Sequence, residues 1–174
     1  MAASDGPELA DARRRAVRWL AAAARSEAEI RQRLERGGFA GDVIEQTIAW
    51  LRRLGYLDDA RLAAEVVAAR KRYRIQGRVG VAWDLRRRGV DAALVKRALG
   101  SYDVEEEKAL AVELAARRAP PADEPLERAY RRLAGFLLRR GFSPAAVRHA
   151  LRIVLGDRAP GDALEAAGDG LELP

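Results

Sequence analysis

Three glycines, Gly38, Gly89 and Gly141, stand 51 and then 52 residues apart, and one apolar pattern surrounds all of them. Four residues before each glycine is a leucine (Leu34, Leu85, Leu137), and eight before stand Ile30, Val81 and Leu133. Phe39, Val90 and Phe142 follow directly, Ile44, Val95 and Val147 come six after, and Ile48, Leu99 and Leu151 come ten after. A period near fifty with apolar positions held in register is an internal repeat, and it constrains the fold more than any local motif does. Each copy reads as a helix, a corner and a helix. Apolar residues four apart lie one above another on a helix, so the two positions before the glycine share a face. The glycine ends that helix in the left-handed conformation that a Cβ disfavours, and the next Phe or Val folds back on the stripe.

Local signals place the remaining helix ends. In the first copy an opening helix is expected over Leu9–Ala24, with Ala12, Ala16, Leu20 and Ala23 on one face beside Trp19. Ser26 and Glu29 have capping-box spacing, so a second helix starts at Glu27, and a third is expected over Asp42–Leu54. Asp58 or Asp59 caps the next helix; adjacent aspartates at a helix start suit its dipole and do not make a metal site. Asp91 caps the helix after Gly89, Asp103 and Glu106 repeat the capping box, and Ser143-Pro144 reads as an N-cap followed by a first-turn proline. The Pro-rich residues 119–125 read as a hinge or disordered loop. Alternating β-branched runs are missing. The expected fold is all-α, an elongated tandem array of three three-helix repeats of homeodomain-like modules: residues 9–56, 57–102 and 103–158, flanked by a flexible N-terminus (1–8) and an acidic disordered tail (159–174).

Composition narrows the function classes. The 174 residues contain no cysteine and one histidine, His149, placed between inward positions of the last helix. No glycine-rich phosphate loop, metal-ligand spacing or nucleophile with a base is found, so no enzyme, cofactor or metal is expected. No apolar run long enough to span a membrane and no signal-peptide pattern is present, which leads to the expectation of a cytoplasmic monomer without membrane contact. The net charge is +6; because residues 159–174 hold Asp162, Glu165, Asp169 and Glu172 and no base, residues 1–158 carry +10. All but Lys71, Lys96 and Lys108 of the 32 cations are arginines, suited to bidentate phosphate or carboxylate contacts. The middle copy is the most basic. Arg70, Lys71, Arg72, Arg74, Arg78, Arg86, Arg87 and Arg88 gather around one corner there, and Arg139 and Arg140 line the last one. Cations at helix C-termini suit the dipole, but this many exceeds what capping needs, so the ten are expected to bind an acidic partner or DNA. Replacing Arg86, Arg87 and Arg88 by Ala is expected to weaken that binding and leave melting nearly unchanged.

The ordered pieces resemble the RecX regulatory proteins of bacterial recombination. They are Arg25-Ser26-Glu27-Ala28-Glu29-Ile30 through Leu34, Gly55-Tyr56-Leu57-Asp58-Asp59-Ala60-Arg61, Leu85 through Gly89-Val90, and Phe136-Leu137 with Arg139-Arg140-Gly141-Phe142-Ser143, across residues 10–157. Leu62 stands where the family usually has Phe, and Ile30 where Leu is usual. The resemblance implies a curved stack of three-helix repeats lying in the groove of the RecA filament on DNA. It implies that such a protein limits filament extension, ATP hydrolysis, strand exchange and the stimulated cleavage of the repressor of the DNA-damage (SOS) response. The alternative is a DNA-binding protein using homeodomain-like modules; weak DNA affinity is compatible with both. Against sequence-specific reading, the helix after Asp91 offers Lys96 and Arg97 but no Asn or Gln for base edges.

Overall fold

The computed structural model describes residues 6–73, 76–121 and 123–156, and among them there are nine α-helices and no strand. They run α1 (Pro7–Ala22), α2 (Glu27–Arg36), α3 (Gly41–Arg53), α4 (Asp59–Arg72), α5 (Arg78–Arg87), α6 (Ala92–Leu99), α7 (Val104–Ala116), α8 (Leu126–Arg139) and α9 (Pro144–Leu155). Every copy of the repeat thus supplies three helices, and the fold is all-α as the periodicity predicts. The acidic residues 159–174 lie outside the described residues, as do residues 1–5.

The caps follow the sequence signals. Both halves of the capping box form at Ser26/Glu29 and at Asp103/Glu106, and the Ser143 hydroxyl accepts the Ala146 N–H. Asp58 Oδ1 accepts the Arg61 N–H at 2.9 Å, which leaves Asp59 for another task, and Asp91 Oδ1 accepts the Ala93 N–H at 2.8 Å. The corner glycines take positive φ: 79° at Gly38, 76° at Gly89 and 70° at Gly141. The apolar pairs before them, Ile30/Leu34, Val81/Leu85 and Leu133/Leu137, have no exposed surface. Burying each such side chain contributes about 1.5–3 kcal/mol.

The chain divides into two compact units, residues 1–68 with 83–98 and residues 69–82 with 99–174, so the middle copy is shared between them. In the first unit α1, α2 and α3 enclose Leu9, Ala12, Ala16, Ile30, Leu34, Ile44, Ile48 and Leu51. Leu20 is only half-buried and Ala23 lies beyond the end of α1, so the opening stripe is shorter than its spacing suggests. In the second unit α7, α8 and α9 enclose Leu110, Ala115, Tyr130, Leu133, Leu137, Phe142, Val147 and Leu151. His149 is half-buried on α9. In the described part of 119–125, Glu124 is held from the next helix. Arg132 donates through Nη2 (2.8 Å) and Nε (3.1 Å) to the Glu124 carboxylate and through both terminal nitrogens, at 3.3 Å, to the Arg118 carbonyl.

Candidate interaction surface

Each unit contains one joint between successive copies, and in both the residue twelve before one corner glycine meets the carbonyl just before the next corner glycine. In the first, the start of α2 meets the α5–α6 corner. The Ser26 hydroxyl, besides capping α2, donates to the Arg88 carbonyl, and a Cβ built on Gly89 would lie 2.4 Å from the Ala28 Cβ. The Glu27 N–H, free at a helix start, donates to Asp59 Oδ1 at 3.0 Å. Arg88 closes the joint: Nη2 donates to Glu29 Oε2 at 2.9 Å and to the Ala24 carbonyl at 2.8 Å, and Nε to Glu29 Oε2 at 3.2 Å. Burial alone would raise the pKa of Glu29, but the hydrogen bonds from Arg88 and from the Ser26 N–H outweigh it and hold the carboxyl below its ordinary value. Burial pushes Asp59 the other way, up, despite the N–H it accepts.

In the second joint the start of α5 meets the α8–α9 corner. The Gly77 N–H donates to the Arg140 carbonyl at 2.9 Å and the Gly80 N–H to the Gly141 carbonyl at 3.1 Å. Gly77 and Ser26 both stand twelve residues before their own corner glycine, and Arg140 and Arg88 one before theirs. Glu107 on α7 takes the part of Asp59. Only 1% exposed, it accepts the Arg78 N–H (2.8 Å) and the Ser143 N–H (3.1 Å) on Oε1 and the Ser143 hydroxyl (2.8 Å) on Oε2. Tyr102 is buried beside it and donates to the Gln76 carbonyl at 3.1 Å; burial, reinforced by the charges of Glu107 and Glu106, pushes its pKa up to about 12.

The structure sorts the ten candidate cations by what already holds them. Arg88 is the clasp of the first joint, so its removal is expected to cost stability as well as charge. Lys71 is also engaged: it donates to the Ser101 carbonyl at 2.9 Å, pairs with Glu106 and lies 5.7 Å from the Tyr102 ring centre. Its hydrogen bond holds the Glu106 carboxyl below its ordinary value. Arg78 is half-buried, with its N–H on Glu107 and its guanidinium 3.5 Å from the Leu99 carbonyl. Arg140 lies 4.9 Å from the Phe136 ring centre, which Arg118 also approaches, at 4.2 Å. Arg70 is half-buried; Arg72, Arg86, Arg87 and Arg139 are exposed, Arg72 6.0 Å from the Tyr73 ring centre and Arg87 4.7 Å from that of Trp83. Arg74 lies outside the described residues. Arg86, Arg87 and Arg88 belong to the first unit, and Arg70, Lys71, Arg72, Arg78, Arg139 and Arg140 to the second. Sequence reasoning missed Glu107 and Asp59, whose only signal is a carboxylate in the first turns of a helix.

Among the described residues no group of His, Cys, Asp and Glu is arranged to hold a metal, and no helix is long and apolar enough to cross a membrane. Residues 12–51, 58–99 and 105–151 match the family models for the first, second and third three-helix domains of RecX. The chain is 36% identical over 153 residues to the regulatory protein RecX of Deinococcus radiodurans, covering 86% of this chain and 71% of that one. It is 34% identical to the regulatory protein RecX of Thermobifida fusca, covering 98% and 89%. The crystal structure of RecX from Lactobacillus salivarius shares the fold with a TM-score of 0.75 at 20% identity, over 84% of this chain and 96% of that one. Three ordered domain matches together with relatives at this identity over most of their length place the chain in the RecX family of regulatory proteins.

Proposed function

We propose that this protein binds RecA and RecA–DNA filaments and limits filament extension, and so lowers ATP hydrolysis, strand exchange and co-protease activity in the DNA-damage response. The observation that carries the reading is the match of three successive domains to a family whose relatives are named regulatory proteins. The exposed cations supply the contact: Arg86 and Arg87 in the first unit, Arg72 and Arg139 in the second. Arginines on the surface steer an acidic protein or a phosphate backbone and are lost at little cost to folding. Arg70, Lys71, Arg78, Arg88 and Arg140 contribute charge from positions fixed by their own neighbours. The protein acts as a monomer in the cytoplasm, without a cofactor.

The test is RecA ATP hydrolysis on single-stranded DNA with this protein titrated well below the RecA concentration, alongside its own DNA affinity at the same salt. Inhibition at such ratios, with DNA binding too weak to coat the strand, is the expected result. Inhibition only at protein levels that occupy the DNA means competition for the strand and supports a DNA-binding protein instead. The double variant Arg86→Ala/Arg87→Ala is expected to inhibit about tenfold less well while melting with the parent, because both side chains are exposed.

A further inference from the structure

Both joints dock a helix start onto a corner, and the first copy has a corner of the same construction onto which, among the described residues, no helix start docks. Its carbonyl at the position of Arg88 and Arg140 is that of Gly37, and Gly37, Gly38 and Ala40 are exposed. Gly38 has φ 79°, and a Cβ built on it meets nothing within 4 Å, whereas one on Gly89 or Gly141 runs into the docked helix. Glu8 precedes Gly38 by thirty residues, as Asp59 precedes Gly89. Glu8 Oε1 accepts the Ala40 N–H at 3.2 Å, as Glu107 accepts that of Ser143, which stands at the same place after its own glycine. The apolar corner residue is an independent sign. Val90 and Phe142 are buried, but their counterpart Phe39 is half-exposed, with the Arg15 guanidinium 5.3 Å from its ring centre.

We propose that this α2–α3 corner docks the N-terminal turn of a helix from a partner protein, with Ser or Gly at its cap and Ala or Gly within the next three residues. The two joints specify that chemistry. The Gly37 carbonyl accepts from the cap residue, as Arg88 accepts from Ser26 and Arg140 from Gly77. Glu8 accepts the first helical N–H and faces the positive end of the incoming helix, as Asp59 does for α2. A larger residue near the cap is excluded by the contact that sets Ala28 against Gly89 and Gly80 against Gly141. A second copy of this chain is a poor source. Its α2 and α5 starts are already docked, the Ser143 start of α9 already gives its N–H and hydroxyl to Glu107, and in α8 the equivalent residue is Ala129, buried inside the helix with its N–H on the Pro125 carbonyl. The inference does not depend on RecA being the partner.

The probe is a stapled helical peptide carrying residues 76–88, titrated into the isotopically labelled full chain and followed by amide chemical shifts. Saturable shifts at Gly38, Phe39 and Ala40 are expected, and the same peptide with Gly80→Leu should not produce them. In the chain, Gly38→Leu should weaken peptide binding at least about tenfold by filling the seat. Glu8→Gln, which leaves the corner backbone alone, should weaken it about threefold by removing the carboxylate from the helix start. Three outcomes overturn the proposal: no shift at these amides at millimolar peptide, self-association of the chain that Gly38→Leu abolishes, or the same shifts without peptide on deleting residues 1–5, which would make the chain's own N-terminus the occupant.

Discussion

The two joints put the same backbone positions together with different side-chain chemistry. In the first, the helix start is Ser26-Glu27-Ala28, its Ala28 methyl rests on Gly89, and a hydroxyl reaches the Arg88 carbonyl. In the second, Gly77 and Gly80 present no side chain, so backbone meets backbone through two N–H to carbonyl bonds. The carboxylates differ to match. Asp59 and Glu29 share a half-exposed cluster with Arg88, while Glu107 is sealed off, its oxygens taken by two N–H groups and a hydroxyl. What the repeat preserves is the fit of a corner to a helix start. The side chains that seal the fit are free to change, provided the buried donors of that helix start find acceptors.

The sharpest way to break the comparison is to add a methyl group to each corner glycine in turn. Gly141→Ala should cost most, about 3–4 kcal/mol, because its Cβ would lie 2.2 Å from the Gly80 nitrogen, where backbone must move, and the residue keeps a positive φ. Gly89→Ala should cost somewhat less, about 2–3 kcal/mol, since the atom it meets is the Ala28 methyl. Gly38→Ala should cost only the backbone term, about 1 kcal/mol, with open space around it. Urea midpoints of the three variants check the order, and equal losses would mean that the corners carry no inter-copy contact.

Glu107 tests the second joint by chemistry instead of shape. Glu107→Ala leaves the Arg78 and Ser143 N–H groups and a hydroxyl without their acceptor and should destabilise by about 2–3 kcal/mol. Glu107→Gln keeps one acceptor oxygen for the two N–H groups and lets its amide donate to the Ser143 hydroxyl, so it should recover more than half of that loss. If the two variants melt alike, the charge rather than the acceptor geometry holds the joint.

Helix positions, corners and caps were legible because each is signalled within a few residues: a glycine, a capping-box pair, an apolar stripe. The joints were not. Ser26 and Gly77 occupy equivalent positions but share no side chain, since what they have in common is a backbone approach, and Asp59 and Glu107 project from the first and fourth residues of their helices, one turn apart on the same face. Arg88 looked like one more cation in a basic run because its partners, Ala24 and Glu29, lie some sixty residues away in sequence. At 119–125 the prolines speak locally, while the Arg132 that holds Glu124 belongs to the following helix.

The smallest expected difference is a pH dependence at the first joint. Glu29 has a folded pKa below its ordinary 4.5, so it contributes stability that is present above the unfolded pKa and lost as the pH falls through the folded value. Asp59 has a folded pKa above 3.8; ionised, it opposes folding, and that penalty is relieved as acidification protonates it. The two partly cancel in the parent chain. Arg88→Met removes the hydrogen bonds and charge from Arg88 that depress Glu29 and leaves burial opposed only by the Ser26 N–H and the Arg25 charge, so the Glu29 pKa should rise. The variant should lose stability near neutral pH, by about 1 kcal/mol for a half-exposed clasp, and lose less of what remains between pH 5 and 3 than the parent does. Urea midpoints across that range, read beside the side-chain carboxyl shifts of Glu29 and Asp59, separate this from general acid unfolding. An unchanged Glu29 titration in Arg88→Met would show that the Ser26 N–H, not the guanidinium, sets its acidity.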